Sequence, residues 1–124
     1  MVIMPAVRYF VTDVQRSIKF YESLGFNVLT QYGPPFAIVQ RNGLELWLSG
    51  KGTSAAKEMP DGRVPEPGGW NRIVIETDAL TTLYDALKVI GTVFRNEPIT
   101  GPGGTQVLID DPDGNPVELF EPRS

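Results

Sequence analysis

The sequence contains no cysteine and no histidine. Without cysteine, the chain has no disulfide, no thiolate nucleophile and no cysteine-bound zinc or iron–sulfur cluster. Without histidine, it cannot form a Ser-His-Asp or Cys-His catalytic unit or a histidine-containing triad for non-haem iron. Nearly all known types of catalytic zinc site are excluded as well. Any chemistry must therefore depend on carboxylates, tyrosine, lysine or arginine.

Positive charge and long apolar runs are also scarce. The 124 residues include 11 Lys and Arg against 15 Asp and Glu, for a net charge of -4. Because nucleic-acid binding depends on clustered cations, we expect no nucleic-acid partner. No apolar run reaches the roughly 18 residues of a membrane helix, and the N-terminus lacks the pattern of a signal peptide. We therefore expect no membrane partner and a cytoplasmic location.

Glycine and proline are abundant instead, with 13 and 11 copies, which favours many turns between short strands. In the first half, Asp13 is placed to cap a helix, Gly25 to end it, and Asn42-Gly43 to form a hairpin turn. Apolar spacing predicts a β-α-β-β-β order. The predicted elements are a strand at 6–11, a helix at 14–24, and strands at 26–32, 36–41 and 44–49.

The same order restarts after residues 50–69, a Gly/Pro-rich segment predicted to be a linker or surface excursion. In the second half, Asp78 is the predicted N-cap of a helix whose apolar stripe runs from Leu80 to Ile90. Strands are predicted at 72–77, near 92–96, at 106–110 and at 117–120. The chain is thus predicted to be one domain of two halves, 1–49 and 70–124. The fold class is α+β, with tandem βαβββ modules forming a curved mixed sheet around a cleft.

Two segments, VTDVQRSIKFYESLGF at 11–26 and DDPDGNPVELFEP at 110–122, resemble the vicinal oxygen chelate superfamily. This superfamily includes glyoxalase I, extradiol dioxygenases, fosfomycin-modifying enzymes and bleomycin-resistance proteins. The resemblance spans essentially the whole chain and implies the same fold.

The resemblance also implies a location for the family's metal ligands, on the first and last strands of each half. Those positions fall on Ala6, Glu45, Arg72 and Glu118. Ala6 cannot ligate a metal, and Arg72 places a positive charge where the family has a metal ligand. The sequence is therefore closer to the metal-free, bleomycin-resistance-type members, with no cofactor, and we hypothesise that Arg72 replaces the metal electrostatically.

Strand alternation extends these positions to a wider predicted cleft surface, because residues two apart face the same side. The opposite faces are nearly all apolar, as strands covered by helices should be. The predicted ligand-binding residues are Arg8, Phe10, Glu45, Trp47, Arg72, Glu76, Glu118 and Phe120.

Isolated charges in a cleft are costly, so we expect Glu45 and Glu118 to pair with Arg72. If Arg72 is buried, its replacement by alanine should cost roughly 3 to 5 kcal/mol. The alternative is that these residues have only a structural role, in which the charged side chains form a salt-bridge network and the aromatic ones pack in the core. For Trp70, at the end of the linker, the alternatives are a lid, a dimer contact or ordinary packing, of which packing is expected. The Gly-Pro-Gly-Gly segment at 101–104 is expected to be a turn rather than a phosphate loop.

Two functions stay open from the sequence. The first is a metal-free protein that sequesters a small aromatic or cationic compound, since aromatic walls and acidic groups favour such ligands. The second is a lyase, isomerase or dioxygenase-type enzyme, in which Glu45 or Glu118 acts as a general base or holds a metal. In both, the partner is a small molecule, and the family resemblance implies a homodimer.

Overall fold

A computed structural model of the chain describes residues 1–124. These residues form two compact units, Met1–Pro67 and Gly68–Ser124. Each unit contains one helix and one open mixed sheet. The α+β class and the tandem βαβββ modules predicted from the sequence are confirmed.

The first unit follows the βαβββ order. Its strands pair in the order β1-β4-β3-β2, with β1 and β4 parallel and the other neighbours antiparallel. Its elements are β1 (Val7–Phe10), α1 (Val14–Ser23), β2 (Asn27–Tyr32), β3 (Phe36–Arg41) and β4 (Leu44–Ser49).

Helix α1 begins and ends where the sequence predicts. The Asp13 side chain accepts a hydrogen bond from the Arg16 backbone N–H at 3.1 Å, which satisfies one of the unpaired donors at the helix start. Gly25, with φ of +88°, takes the left-handed conformation just after the C-cap Leu24. The buried side of α1 includes Ile18 and Tyr21 and contacts the sheet.

The second unit repeats this plan with one strand divided. Its order is β5-β9-β8-β6, with β7 also paired to β8, and β5 runs parallel to β9. Its elements are β5 (Ile73–Glu76), α2 (Leu80–Val89), β6 (Val93–Phe94), β7 (Ile99–Gly101), β8 (Gly104–Asp110) and β9 (Pro116–Pro122).

The strand predicted near 92–96 is shorter than expected, and β7 was not predicted. Between the two pieces, the Arg95 N–H donates to the Leu108 carbonyl, while the Asn96 side-chain oxygen accepts from the Leu108 N–H at 2.9 Å. Pro98 follows, and it has no backbone N–H to donate to a neighbouring strand. A side chain thus takes the place of a backbone partner where the strand breaks.

The prediction that Asp78 caps α2 is wrong. The N-cap residue is Ala79, which has no side-chain oxygen, and its own N–H donates to the Thr77 hydroxyl at 3.0 Å. The next N–H, of Leu80, donates to Glu121 Oε1 at 2.8 Å. The acceptor at this helix start therefore comes from the end of β9, far away in the sequence.

The apolar stripe predicted for α2 is also shorter than expected. Leu80 and Leu87 are buried, but Ile90 is 63% exposed. Helix α2 ends at Val89, so Ile90 is the C-cap residue and lies beyond the buried side of the helix.

Residues 50–69 contain no strand and a single short 3-10 helix, Ser54–Ala56. No helix of the chain is both long and apolar enough to cross a membrane.

Candidate functional site

The first candidate surface lies on the face of the first sheet that does not carry the apolar core. On the core face, Leu46 and Leu48 are fully buried. Trp47, between them on β4, points to the other side, where β1 brings Arg8 opposite it in register. Glu45, two residues before Trp47, shares that side.

These side chains contact one another. Arg8 donates from Nη1 to the Ser49 hydroxyl at 3.2 Å, and its guanidinium carbon lies 5.1 Å from the centre of the Trp47 ring. The indole N–H of Trp47 donates to Glu45 Oε1 at 3.1 Å. The result is a half-buried indole flanked by a cation and a carboxylate, which we call the Trp47 face.

The Trp47 face continues into two aromatic residues that the sequence patterns did not single out. Phe36 meets Trp47 edge-on with ring centres 5.9 Å apart, and Tyr32 stacks on Phe36 at 5.9 Å with 25° between the rings. Tyr32 is 64% exposed. Applying strand alternation to 36–41 would have found Phe36, because it pairs with Ser49 in register.

Phe10 belongs to the same side of the first sheet. It is half-buried and lies opposite Ser49 at the end of β1. Of the predicted site residues, the structure therefore brings Arg8, Phe10, Glu45 and Trp47 together on one face.

The second candidate surface is centred on Glu118, which is only 8% exposed. Arg72 donates to Glu118 Oε1 from both Nε, at 3.0 Å, and Nη2, at 2.8 Å. The third nitrogen, Nη1, donates to the Trp70 carbonyl at 3.3 Å. The expected pairing of Arg72 with Glu118 is confirmed, while the hydrogen-bond partner seen for Glu45 is the Trp47 indole.

The next row of the second sheet carries the other predicted residues of this unit. Glu76, Phe120 and Gln106 lie opposite one another across β5, β9 and β8. Glu76 is exposed and Phe120 is half-buried. Glu76 also borders a cavity of about 400 Å³ at the start of α2, together with Asp78 and Glu121.

Phe120 and Gln106 line a smaller cavity of about 270 Å³, which also includes Ile99 and residues 101–104. The Gly-Pro-Gly-Gly segment is a turn between β7 and β8, as predicted. Its position against Phe120 was missed. The sequence holds no short-range signal for it, because the contact depends on the pairing of β8 with β9.

The prediction that Trp70 is packed is wrong, since the residue is 70% exposed. One side of its indole contacts the Arg95 guanidinium, whose carbon lies 4.6 Å from the ring centre. Arg95 itself is held by Asp110 at 2.6 Å and by the Gly69 and Gly114 carbonyls. This cluster ties the start of the second unit to the turn before β9.

The donor atoms at the positions implied for a metal do not suit one. Ala6 has no donor atom, and Glu118 Oε1 already accepts two hydrogen bonds from the Arg72 guanidinium. No group of three or more Asp and Glu side chains is arranged to hold a metal ion. A guanidinium beside Glu118 would also repel a divalent cation.

Among curated proteins, none shows significant similarity to the chain. A structure of a glyoxalase/bleomycin resistance protein/dioxygenase superfamily member from Sphaerobacter thermophilus is 27% identical, with a TM-score of 0.75 and 98% of each chain covered. TnmS3, an antibiotic binding protein from a Streptomyces species, is 26% identical, with a TM-score of 0.70 and 99% of each chain covered.

A bleomycin-binding protein solved with bleomycin shares the fold at 21% identity, with a TM-score of 0.64, covering 98% of this chain and 100% of that one. The family model described as Glyoxalase/Bleomycin resistance protein/Dioxygenase superfamily matches residues 3–119.

Proposed function

The chain belongs to the Glyoxalase/Bleomycin resistance protein/Dioxygenase superfamily, and from this premise we propose that it binds a small aromatic or cationic molecule without a metal. The eight residues predicted from the sequence are proposed as ligand contacts. Four of them belong to each unit, and each set of four is treated as a separate surface. The main support for the proposal comes from the Trp47 face.

The Trp47 face supports this function through the way its indole is held. Arg8 and Glu45 fix the ring from two directions, so its orientation is set before a ligand arrives. Preorganised aromatic rings bind planar groups by stacking and cations through the ring quadrupole. The exposed ring of Tyr32, stacked on Phe36, extends this aromatic surface.

The charges on the two surfaces favour a neutral or cationic ligand. On the second surface, Arg72 neutralises Glu118, whereas the exposed carboxylate of Glu76 forms no ion pair. On the first surface, one cation, Arg8, accompanies one acid, Glu45. The antibiotic binding protein TnmS3, at 26% identity, supports a binding role of this kind.

The enzyme alternative, a lyase, isomerase or dioxygenase using Glu45 or Glu118, has less support. A general base needs an oxygen lone pair within reach of the substrate proton. Glu118 is nearly buried, and its Oε1 is engaged twice by Arg72. Glu45 alone would have to carry the chemistry.

The proposal is tested with proflavine, a planar aromatic cation, and with bleomycin, by thermal shift and tryptophan fluorescence. Both ligands should raise the melting temperature, because a ligand that prefers the folded state stabilises it. Trp47→Ala should weaken binding about three- to tenfold, the loss of one stacking or cation–π contact. Trp70→Ala is the matched control and should leave affinity unchanged, so equal losses in the two variants would contradict the proposal.

A metal assay separates the binding protein from the enzyme. Protein treated with EDTA should keep the melting temperature and proflavine affinity that it has with added Mg²⁺ or Mn²⁺. A stoichiometric divalent metal in the purified protein, together with a metal-dependent affinity, would favour the enzyme alternative instead.

A further inference from the structure

We propose that the cavity beside Phe120 in the second unit binds a neutral planar ring that carries an amide-type group. The cavity, of about 270 Å³, is formed by Phe120, Gln106, Ile99 and the turn at 101–104. The inference rests on the proposed function, that the chain binds a small molecule. This inference gives a ligand-binding role to the turn at 101–104, which the sequence predicts to be only a connection between strands.

The walls of this cavity favour an uncharged ligand. No acidic or basic side chain lines it, so a charged group would find no ion-pair partner in the wall. The backbone of the turn offers few compensating acceptors. The Gly101 carbonyl accepts from the Arg123 guanidinium at 3.1 Å, and the Gly103 carbonyl accepts from the Arg123 N–H at 2.9 Å.

The shape of the cavity favours a flat group beside the Phe120 ring. A Cβ atom at Gly103 would lie 4.0 Å from the Phe120 ring atom Cζ, so the missing side chain leaves space next to the ring. The turn is held over β9 by the close approach of Gly104, where a Cβ would overlap the Glu121 carbonyl. A planar ring fits such a space and gains aromatic contact with Phe120.

Gln106 supplies the polar group that selects among planar ligands. Its side chain lies opposite Phe120 in the ladder and forms no hydrogen bond with the protein. A glutamine amide both donates and accepts, so it can form paired hydrogen bonds with a carboxamide or a lactam. A pocket that presents one polar side chain of this kind discriminates by hydrogen-bond pattern.

The test uses three probes of nearly equal size but different charge: benzamide, benzamidine and benzoate. Titrations of ¹⁵N-labelled protein are followed at the backbone amides of Gly103 and Gly104 and at the Gln106 side-chain amide. Benzamide should shift these signals at a concentration at least about tenfold lower than either charged probe, since only benzamide offers both the donor and the acceptor that pair with the Gln106 amide.

A change of charge at one residue makes the result specific. Gln106→Glu should reverse the order, so that benzamidine binds more tightly than benzamide. Gln15→Glu, on the exposed side of α1, makes the same charge change outside the cavity and should keep the wild-type order. Should Gln106→Glu fail to fold, Gln106→Leu replaces it and should abolish the preference for benzamide.

Equal shifts by all three probes, or an unchanged order in the Gln106 variants, would overturn the inference. The Trp47→Ala experiment is independent of these signals. A loss of proflavine binding at Trp47 with no selectivity at Gln106 would reject the cavity alone. Selectivity at Gln106 without any effect at Trp47 would instead reject the Trp47 face.

Discussion

The ion pair between Arg72 and Glu118 is only partly shielded from water. The Arg72 side chain is 27% exposed and that of Glu118 is 11% exposed, yet two guanidinium nitrogens reach one carboxylate oxygen. This pair is intermediate between a surface ion pair and a fully buried one. The full cost expected for a buried Arg72 therefore does not apply, because water still reaches part of the guanidinium.

We predict that Arg72→Ala lowers the free energy of unfolding by about 1 to 3 kcal/mol, between the values for exposed and buried pairs. The loss arises because Glu118 is left without its ion-pair partner in a site that excludes most water. Urea unfolding monitored by circular dichroism measures it.

A double-mutant cycle provides the control. In the Arg72→Ala background, Glu118→Gln should recover part of the lost stability, because it removes the unpaired charge. If Arg72→Ala changes stability by less than about 0.5 kcal/mol, as ordinary surface substitutions do, the ion pair does not stabilise the fold.

At the scale of elements, the two helices begin in the same sequence context but are capped differently. Thr12-Asp13 and Thr77-Asp78 precede α1 and α2, respectively. Asp13 caps α1 within its own turn, whereas α2 receives an acceptor from Glu121 of β9. Local sequence similarity did not distinguish these cases, because the second acceptor lies 41 residues away.

This difference predicts unequal effects of equal substitutions. Asp13→Ala should lower the free energy of unfolding by about 1 kcal/mol, the usual loss of an N-cap. Asp78→Ala should change it by less than about 0.5 kcal/mol, as at a surface site. Thermal unfolding of both variants decides the point, and similar destabilisation by the two would contradict the assigned caps.

The turn between β7 and β8 provides a second comparison of elements. Gly104 has φ of +151°, and a Cβ there would overlap the Glu121 carbonyl oxygen. Gly101, on the other side of the turn, has no atom within 4 Å of such a Cβ.

We therefore predict that Gly104→Ala lowers the free energy of unfolding by more than about 2 kcal/mol, because backbone must shift. Gly101→Ala should stay within about 0.5 kcal/mol of the wild type. Chemical denaturation of the two variants measures the contrast. A tolerated Gly104→Ala would show that β8 and β9 do not approach this closely.

Both units have open sheets with unpaired edge strands. In the first sheet β1 and β2 are edge strands, and in the second β5 is an edge strand. Exposed apolar side chains lie on β2, where Leu29 is 55% exposed and Val28 is 42% exposed. Strand edges of this kind need protection from unwanted pairing.

The homodimer implied by the family resemblance stays a prediction. We expect light scattering at micromolar concentration to give twice the mass of one chain, because association would cover sheet edges. Leu29→Lys on β2 tests whether that edge is the contact and should shift the protein towards monomer, whereas Gln15→Lys on α1 should not. A monomeric wild-type protein under these conditions would contradict the prediction.

The parts of this protein that depend on local chemistry follow from neighbouring residues in the sequence. Helix α1 and strands β3 and β4 lie where periodicity and the Asn42-Gly43 turn predict them. The alternation along β4 put Glu45 and Trp47 on one side correctly, since strand geometry has a fixed period of two. The lack of histidine and cysteine limits the available chemistry through composition alone, whatever the fold.

Features that join distant parts of the chain depend instead on the three-dimensional fold. The cap of α2 by Glu121, the exposure of Trp70 and the cavity of Gln106 with the 101–104 turn all depend on which strands pair and in what register. Pairing register arises from packing of the whole sheet against its helix, not from neighbouring residues. For this reason, the sequence supplied the candidate residues, whereas folding determined which of them contact one another.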